Sequence, residues 1–476
     1  MPDRTGTHRM TADEMARQRE YTDKIRKITT DAISDGHRRQ ACVVTYGCQQ
    51  NEADSERIAG MARDMGYTVV DDEKQADLII VNTCAVRDHA EKRALSITGG
   101  YKHLKAVNPD LIIGIGGCMV SQQAVSEKIK RSYPYVDFVF GTESLARLPE
   151  IVYEVIQKGK RQFVPNIGEA VVAEGMPVLR KSRYQAYVSI MYGCNNFCTY
   201  CIVPYVRGRE VSRRPEAIYA EVEELIRDGY REITLLGQNV NSYGKEFDGE
   251  CDFADLLTRL CRIDGDYIIR FMTSHPKDAS EKLIDTMARE KHIAKHLHLP
   301  IQSGSDAMLR AMNRHYDYSS YRRLVTYMRE KMPDIAISTD IIVGFPGETE
   351  DDFAGTLNAL SDIRYDMIFS FIYSKRDGTP AAVMDNQIPD SVKSERFTRM
   401  LAVQEKIAYE KNIAEVGKTL RVLCEGASKN NPAKLTGRTE GNKIVLFDGD
   451  ASLEGQFVNI RITQGQTFAL VGTVID

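Results

Sequence analysis

Short apolar runs alternate with helical segments along the first part of the chain. Such alternation is typical of α/β proteins, in which helices connect and cover parallel strands. The predicted strands lie at residues 41–46, 76–82, 111–116 and 138–140, and the predicted helices at 54–65, from about 87, from about 121 and at 144–157. The pattern therefore predicts a parallel, doubly wound sheet.

A second series of alternating strands and helices begins at about residue 184. The predicted strands are residues 186–191, 232–236, 267–273, 295–301, 335–343 and 367–373. This series has fewer β/α units than the eight of a closed barrel. We therefore expect a partial (β/α)6 barrel that is open on one side to a bulky substrate.

From about residue 415 the pattern changes to short strands separated by Gly- and Asn-rich turns. The predicted strands are residues 419–424, 434–439, 443–446, 456–463 and 468–475. They indicate a small antiparallel β-barrel, a fold that often binds single-stranded nucleic acid. Lys429, Lys434, Arg438 and Lys443 outnumber Glu440 in its first hairpins, which suits RNA binding but also an ordinary solvated face.

The remaining segments complete the domain layout. Residues 1–37 are highly charged and have few large apolar side chains, so we expect a mobile or loosely helical extension. Residues 156–183 lack a clear period and contain proline and glycine, which predicts a linker. The expected domains are residues 38–155, 184–412 and 413–476.

Composition limits the class of protein. The 476 residues suffice for several domains, and the net charge of −4 means that RNA binding would depend on local basic patches. No apolar run is long enough for a membrane span, and the ten cysteines do not form a small disulfide framework. We expect a cytoplasmic monomer that does not associate with membranes.

Three cysteines stand close together just after the first strand of the second series. Cys194, Cys198 and Cys201 form the pattern C-x-x-x-C-x-x-C. Thiolates bind iron–sulfur clusters and zinc, and three of them leave one metal corner free for chemistry where a closed site needs four ligands. One alternative is a zinc site completed by a distant His or Cys, but the usual paired zinc motifs are absent from the sequence. The other alternative is that the three are plain buried cysteines.

Three further cysteines, Cys48, Cys84 and Cys118, each follow a predicted strand of the first series. In an open α/β sheet, ligands bind at the carboxyl ends of the strands. A single cysteine in such a place is more often a buried core residue. Three of them at equivalent strand ends predict a second three-cysteine cluster site, again with an open iron.

These motifs carry a family resemblance. The loop M-Y-G-C-N-N-F-C-T-Y-C resembles the signature of radical S-adenosylmethionine (SAM) enzymes, and T-Y-G-C-Q-Q-N, V-N-T-C-A-V-R and G-G-C-M-V-S-Q are similar to motifs of MiaB-type methylthiotransferases. Gln50 stands where those enzymes usually have Met. The resemblance implies that residues 38–155 are the methylthiotransferase N-terminal domain, 184–412 the radical SAM core and 413–476 a TRAM-like RNA-binding domain.

The resemblance also implies a reaction. MiaB-type enzymes use two 4Fe–4S clusters and SAM to convert N6-isopentenyladenosine beside the tRNA anticodon to its 2-methylthio derivative. The C-x-x-x-C-x-x-C loop would hold the cluster that cleaves SAM, and the three strand-end cysteines would hold the auxiliary cluster. The implied partners are an external electron donor and a tRNA anticodon stem-loop that carries isopentenyladenosine.

Polar, Gly-rich loops follow the barrel strands, and by resemblance they would hold SAM. They lie at residues 237–241, 273–276, 299–305 and 344–349. Each loop alone would be an ordinary βα connection, whereas their repetition around one rim indicates a ligand site. Our candidates for SAM binding are Gln238, Ser303, Arg314 and Asp340.

Other polar residues are less informative. Residues 205–214 carry four arginines against Glu210, which fits either a solvated loop or a phosphate-binding segment beside the cluster. No catalytic role is assigned to His275, His296 or His298. Cys251, Cys261 and Cys424 lack partners at ligand spacing, and we expect them to be packed.

Three alternatives compete with this interpretation. The first is a methylthiotransferase for threonylcarbamoyl-adenosine in tRNA or for a ribosomal-protein aspartate, against which the T-Y-G-C-Q-Q-N motif argues. The second is a non-catalytic, zinc-containing RNA-binding protein. The third is a radical SAM enzyme with one cluster and a degenerate first domain.

Overall fold

The computed structural model describes residues 7–34, 36–86, 88–164 and 170–475. The chain forms two compact units. The first comprises residues 1–181, 189–197 and 201–217, and the second comprises residues 182–188, 198–200 and 218–476. None of the described helices combines the length and apolarity that crossing a membrane requires.

The first unit is built around a six-stranded parallel sheet with the order β3-β2-β4-β5-β6-β7. The strands in this part of the chain are β1 (Thr7–Arg9), β2 (Gln40–Tyr46), β3 (Thr68–Val69), β4 (Leu78–Thr83), β5 (Ile112–Gly117), β6 (Phe138–Phe140), β7 (Gln162–Val164) and β8 (Ala170–Val172). The helices are α1 (Ala12–Ser34), α2 (Gln49–Asp64), α3 (Asp88–Val107), α4 (Gln123–Ser132) and α5 (Leu148–Lys158).

The apolar run of β4 explains its central position. Every residue of β4 is buried, and its side chains alternate between two hydrophobic clusters. Leu78 and Ile80 pack in one cluster, while Ile79 and Val81 pack in the other. A strand covered on both faces is what a parallel sheet with helices on each side requires. The predicted doubly wound sheet is therefore confirmed.

The segment expected to be mobile or loosely helical contains one long helix. Helix α1 has 23 residues, and Ile25 on it is fully buried in the core beside α2 and α5. Thr29 Oγ1 donates a hydrogen bond of 2.9 Å to the carbonyl of Met65, and Gln18 Nε2 donates one of 3.2 Å to Glu150. The few apolar side chains of this segment suffice because they share one face, so of the two alternatives the helical one describes α1.

The predicted linker also contributes to the first unit. Strand β7 extends the main sheet by pairing with β6, and β8 pairs in parallel with β1. Further along, the backbone N–H of Leu179 donates a 2.9 Å hydrogen bond to the carbonyl of Glu56. The segment thus includes ordered structure, which its lack of periodicity had concealed. Residues 165–169 of the predicted linker lie outside the described residues.

All six predicted barrel strands are present. The strands from this region are β9 (Gln185–Ser189), β10 (Met191–Tyr192), β11 (Val211–Ser212), β12 (Glu232–Leu236), β13 (Ile268–Phe271), β14 (His296–His298), β15 (Ala336–Val343) and β16 (Met367–Ile372). They form two three-stranded sheets, β13-β12-β9 and β14-β15-β16, and an isolated parallel bridge joins Ile269 to Ile293 just before β14. The predicted strand 186–191 is split, because β10 pairs with β11 instead.

Helices follow these strands as expected for β/α units. They are α6 (Val203–Arg207), α7 (Pro215–Arg227), α8 (Phe253–Leu260), α9 (Glu281–Arg289), α10 (Asp306–Ala311), α11 (Tyr318–Lys331), α12 (Glu350–Ile363) and α13 (Asp390–Ile413). Several begin at a side chain that accepts a backbone N–H of the first turn, for example Asp252, Ser280 and Thr349. Such caps satisfy backbone donors that the helix itself leaves unpaired.

The C-terminal strands close into a barrel of order β17-β18-β19-β21-β20. They are β17 (Thr419–Ala427), β18 (Leu435–Thr439), β19 (Ile444–Asp448), β20 (Phe457–Gly465) and β21 (Leu470–Ile475). All pairings are antiparallel except that of β19 with β21, which is parallel. The predicted barrel is confirmed, with this one difference in strand direction.

A buried arginine joins the C-terminal barrel to the rest of the second unit. Arg270, on β13, donates a 2.6 Å bond from Nε to Glu232 on β12. Its two terminal nitrogens donate to the carbonyls of Glu440 at 2.8 Å and Thr439 at 2.7 Å. A guanidinium can make all these bonds at once because its donors form a rigid, planar fork.

The packing of α1 can be tested with Ile25→Ala. This change removes a fully buried side chain, and we expect the free energy of unfolding of the first unit to fall by roughly 2–5 kcal/mol. Chemical denaturation would measure the loss. Lys27→Ala on the exposed face of the same helix is the control and should change stability by less than about 0.5 kcal/mol. Equal effects from both variants would contradict the observed packing of α1.

Candidate cluster sites and active site

The first unit brings the three strand-end cysteines together. Cys48 directly precedes α2, Cys84 follows β4, and Cys118 follows β5. Their strands β2, β4 and β5 are adjacent and parallel, so their carboxyl ends lie at the same edge of the sheet. The thiols of Cys48 and Cys84 share a hydrogen bond, and Cys118 is close enough to interact electrostatically with both. The structure thus places the three cysteines at the carboxyl ends of adjacent strands, while their binding of a cluster stays a prediction.

The surroundings of these thiols shift their pKa values in different directions. The hydrogen bond from Cys84 lowers the pKa of Cys48, and the same bond raises the pKa of Cys84. The backbone N–H of Val86 donates to Cys84 Sγ at 3.3 Å. Arg207 Nε donates to Cys118 Sγ at 3.0 Å. Burial raises the pKa of Cys118, and the guanidinium opposes that effect.

These three thiols are a donor set that could hold an iron–sulfur cluster. Within the described ranges, no group of three or more His, Cys, Asp or Glu side chains is arranged to hold one metal ion. The ligands of a cubane each bind a different iron, so they need not converge on one point. Three soft sulfur donors beside cationic and N–H groups are the chemistry that an iron–sulfur cluster requires.

The first part of the C-x-x-x-C-x-x-C loop is fixed within the first unit. The N–H of Cys194 donates to the carbonyl of Gly208 at 3.1 Å. Asn195 and Glu210 exchange two hydrogen bonds, from the N–H of Asn195 at 3.2 Å and from the N–H of Glu210 at 3.3 Å. Gly193 has a φ of +71°, and a Cβ there would lie 1.9 Å from the carbonyl oxygen of Arg209. Only glycine therefore fits directly before the first cysteine.

Residues 198–200 of the same loop belong to the second unit. The N–H of Thr199 donates to the carbonyl of Met312 at 3.1 Å, and its hydroxyl donates to the carbonyl of Ala311 at 2.9 Å. Arg314 Nη1 donates to Cys198 Sγ at 3.3 Å. The middle cysteine is thus buried and held beside a guanidinium at the carboxyl-terminal side of β14.

Arg314 is bound on several sides. Besides Cys198, its guanidinium donates to the carbonyl of Pro300 at 2.9 Å and to the hydroxyl of Tyr316 at 3.0 Å. Burial raises the pKa of Tyr316 to about 12, and the charge of Asp340 adds to this shift. Arg314 and Asp340, both predicted from sequence, therefore lie around the same buried tyrosine.

The other two predicted SAM-binding residues are placed differently. Ser303 is fully buried, with its hydroxyl 3.3 Å from that of Thr356 and accepting from the N–H of Ser305 at 3.2 Å. These contacts give Ser303 a structural role in its loop. Gln238 lies half-buried in the turn after β12. SAM binding by all four residues remains a prediction.

The three histidines are buried. His296 and His298 both contact Ser338 Oγ, at 2.9 and 3.0 Å, as expected for neighbours on one strand face. His275 Nδ1 accepts the N–H of Lys277 at 3.2 Å, and burial together with Arg314 lowers its pKa, so the ring is neutral. Its proton is therefore on Nε2, which has no hydrogen-bond partner among the described residues. Sequence reasoning assigned His275 no role, but this donor suits a bound ligand.

Most of the basic residues singled out from the sequence have internal partners. In the 205–214 run, Arg207 bonds to Cys118 and Asp54, and Arg213 bonds to Glu174 at 2.8 Å. In the C-terminal barrel, Lys434, Arg438 and Lys443 pair with Asp448, Glu425 and Asp366 respectively. These pairs reduce the net positive charge that each segment presents, and both interpretations of each segment stay predictions.

Comparison with known proteins agrees with this geometry. The chain is 48% identical over 464 residues to the tRNA-2-methylthio-N(6)-dimethylallyladenosine synthase of Acetivibrio thermocellus, covering 97% of both chains. The chain belongs to this synthase family. It is also 50% identical over 436 residues to the family member from Thermoanaerobacter sp., covering 91% of this chain and 92% of the relative.

Domain families and a solved structure fit the same assignment. The Radical SAM superfamily matches residues 188–360, Uncharacterized protein family UPF0004 matches residues 40–141, and the TRAM domain matches residues 414–475. The radical SAM methyltransferase TsrM from Kitasatospora setae has a similar fold, with a TM-score of 0.55 and 15% identity, over 72% of this chain and 75% of that chain. This synthase family member is therefore a radical SAM protein with a C-terminal TRAM domain.

Two site residues of this family member were not identified from sequence. Arg207 lay in a basic run whose members looked equivalent, and His275 lay in one of several similar loops. No sequence spacing reveals the partners of Arg207, because Cys118 and Asp54 come from distant segments. The buried Nε2 of His275 has no hydrogen-bond partner among the described residues that a spacing could have revealed. The position of Arg207, shortly after Cys201, was the only available signal.

The requirement for glycine before Cys194 gives a test with a matched control. Gly193→Ala adds a Cβ that collides with the Arg209 carbonyl, whereas Gly229→Ala also has positive φ but meets nothing within 4 Å. Both variants place a side chain on a left-handed backbone, which should lower the free energy of unfolding by about 1–3 kcal/mol. We expect only Gly193→Ala to lose, in addition, iron from the C-x-x-x-C-x-x-C loop after anaerobic reconstitution. Equal iron content in both variants would show that the loop tolerates the side chain.

Proposed function

We propose that this chain converts N6-isopentenyladenosine next to the anticodon of tRNA to its 2-methylthio derivative by radical SAM chemistry. The observation that carries the proposal is the 48% identity to a tRNA-2-methylthio-N(6)-dimethylallyladenosine synthase across 97% of both chains. The convergence of Cys48, Cys84 and Cys118 supports it, because a methylthiotransferase needs a second sulfur-rich site.

The proposed division of labour follows the two sets of cysteines. Cys194, Cys198 and Cys201 would hold the 4Fe–4S cluster at which SAM binds, and the strand-end set would hold the auxiliary 4Fe–4S cluster. When bound, the first cluster supplies an electron for reductive cleavage of SAM, and the second supplies an open iron for sulfur. Adenine C2–H is not acidic, so a general base could not activate it, which favours a radical route.

The chain's own residues prepare these sites. Arg314 holds Cys198 by a 3.3 Å hydrogen bond and stays cationic, because neighbouring Tyr316 and Cys198 raise its pKa despite burial. Tyr200 packs edge-on to Phe345, 6.5 Å between ring centroids, and so covers the loop with apolar surface. Such packing excludes water, which would otherwise quench reactive species. His275 Nε2–H is available to an acceptor atom of SAM or of the substrate base.

The substrate class suits this architecture. A base in an anticodon loop is unstacked easily, so it can enter an active site without opening a duplex. The TRAM domain at residues 414–475 is the proposed RNA-binding module. We further propose an external one-electron donor, action as a monomer and residence in the cytoplasm with tRNA.

The substrate can be tested in cells that lack the gene. Mass spectrometry of nucleosides from bulk tRNA should show loss of methylthio-isopentenyladenosine and accumulation of isopentenyladenosine, and restoring the gene should reverse both changes. If the tRNA nucleosides do not change while a methylthio group disappears from a ribosomal protein, the proposed substrate is wrong.

The roles of the two cysteine sets can be separated by substitution. Cys198→Ala should abolish formation of 5′-deoxyadenosine from SAM in the anaerobically reconstituted protein, because the cleaving cluster loses a ligand. Cys84→Ala should retain that cleavage, at least in part, but form no methylthiolated tRNA. Cys261→Ala, a cysteine outside both sets, is the control. If Cys84→Ala still produced methylthiolated tRNA, the proposal that the strand-end cysteines hold the auxiliary cluster would be wrong.

A further inference from the structure

Arg207 connects a cluster cysteine to a buried carboxylate within the first unit. Its Nε lies 3.0 Å from Cys118 Sγ, and its Nη2 lies 2.9 Å from Asp54 Oδ2. The side chains of Arg207 and Asp54 are only 5% and 6% exposed. A surface arginine that contacted sulfur by chance would not be dehydrated in this way, so the contact belongs to the folded core.

The local structure fixes this arginine. Arg207 is the last residue of α6, the short helix that begins soon after Cys201. Ile202 and Val206 of this segment pack with Ala85 and Cys118 in one apolar cluster. Thr142 Oγ1 donates a 2.6 Å hydrogen bond to the carbonyl of Val206. The helix is therefore anchored against the cysteine site on more than one side, and its terminal guanidinium has little freedom.

The ion pair keeps the guanidinium charged and oriented. Burial alone would lower the pKa of Arg207, but Cys118 and Asp54 raise it, so the group is a cation. Asp54 is itself approached by Gln50 Nε2 at 3.2 Å and by Arg57 at 3.9 Å. A buried arginine that lacked a carboxylate partner would be costly. Asp54 thus allows Arg207 to direct a charged N–H group at sulfur.

We propose that Arg207 sets the reduction potential of the auxiliary cluster through its hydrogen bond to Cys118. This inference rests on the proposed function, since it requires a cluster on Cys48, Cys84 and Cys118. Hydrogen bonds to sulfur and nearby charge are among the factors that set cluster potentials. Reduction adds negative charge, so a cation beside a ligand sulfur stabilises the reduced form and raises the potential. Arg207 is a positioning residue in this scheme, because it acts through Cys118.

The sign of the effect can be tested with two variants of the pair. Asp54→Asn removes the opposing negative charge but keeps a side-chain oxygen that can accept from Arg207 Nη2, so the guanidinium stays oriented and the midpoint potential should rise. The double variant Asp54→Asn/Arg207→Gln removes both charges together and leaves no unpaired buried ion. Its midpoint should fall below that of the wild type, because the lost cation is nearer to sulfur than the lost carboxylate.

The measurement is an EPR-monitored redox titration of the full chain after anaerobic reconstitution. A Cys198→Ala background in every sample disables the other cluster site, so that the auxiliary signal can be read alone. Arg213→Gln is the matched control, because Arg213 is an equally buried arginine of the same unit whose guanidinium bonds to Glu174 and to the carbonyl of Ser189. Its midpoint should equal that of the parent.

The possible outcomes separate this inference from the proposed function. An unchanged midpoint in the double variant overturns the role of Arg207. If the double variant does not retain a cluster, the test depends on Asp54→Asn alone. A midpoint potential of Asp54→Asn that is equal to or lower than that of the parent then overturns the role of Arg207. If the Cys198→Ala parent itself binds no iron or sulfide, the auxiliary cluster of the proposed function fails instead.

Discussion

The convergence of three thiols depends on one geometric constraint, the common direction of neighbouring parallel strands. Cys48, Cys84 and Cys118 are far apart in sequence, yet each lies just beyond the carboxyl end of its strand. Because β2, β4 and β5 are adjacent and run in the same direction, their ends meet at one edge. A slip in register or a reversed strand would separate the thiols, so the site is only as precise as the sheet beneath it.

The sequence predicted what depends on local pattern and missed what depends on distant partners. The apolar run at residues 78–81 of β4 was recognisable because burial on both faces leaves a continuous hydrophobic run, and the strand-end cysteines were recognisable because each follows a predicted strand. The packing of helix α1 could not be predicted, because many of its residues are charged. Its single apolar face becomes apparent only once the core against which it packs is known. Arg207 was missed for a similar reason, since its partners Cys118 and Asp54 come from other segments.

The number of basic residues in a segment likewise does not show which of them have partners in the folded chain. The basic residues near the cluster loop and in the C-terminal hairpins suggested phosphate-binding surfaces, because composition records only signs and positions along the chain. In the folded units several of these cations neutralise buried or partly buried carboxylates, as Arg213 does for Glu174 and Lys443 for Asp366. A cation that is engaged in a buried ion pair is less available to a phosphate than its charge alone suggests.

The contacts of Arg270 have a consequence for how this architecture can be divided. Its guanidinium satisfies backbone carbonyls of the C-terminal barrel while neutralising Glu232 on the radical SAM sheet. A chain shortened before the barrel would keep this ion pair but leave its remaining N–H groups without acceptors and open to solvent. The TRAM domain is therefore part of the scaffold that supports β12 and β13. Transplanting or exchanging it between relatives would require that the acceptor loop at residues 439–440 be carried along with it.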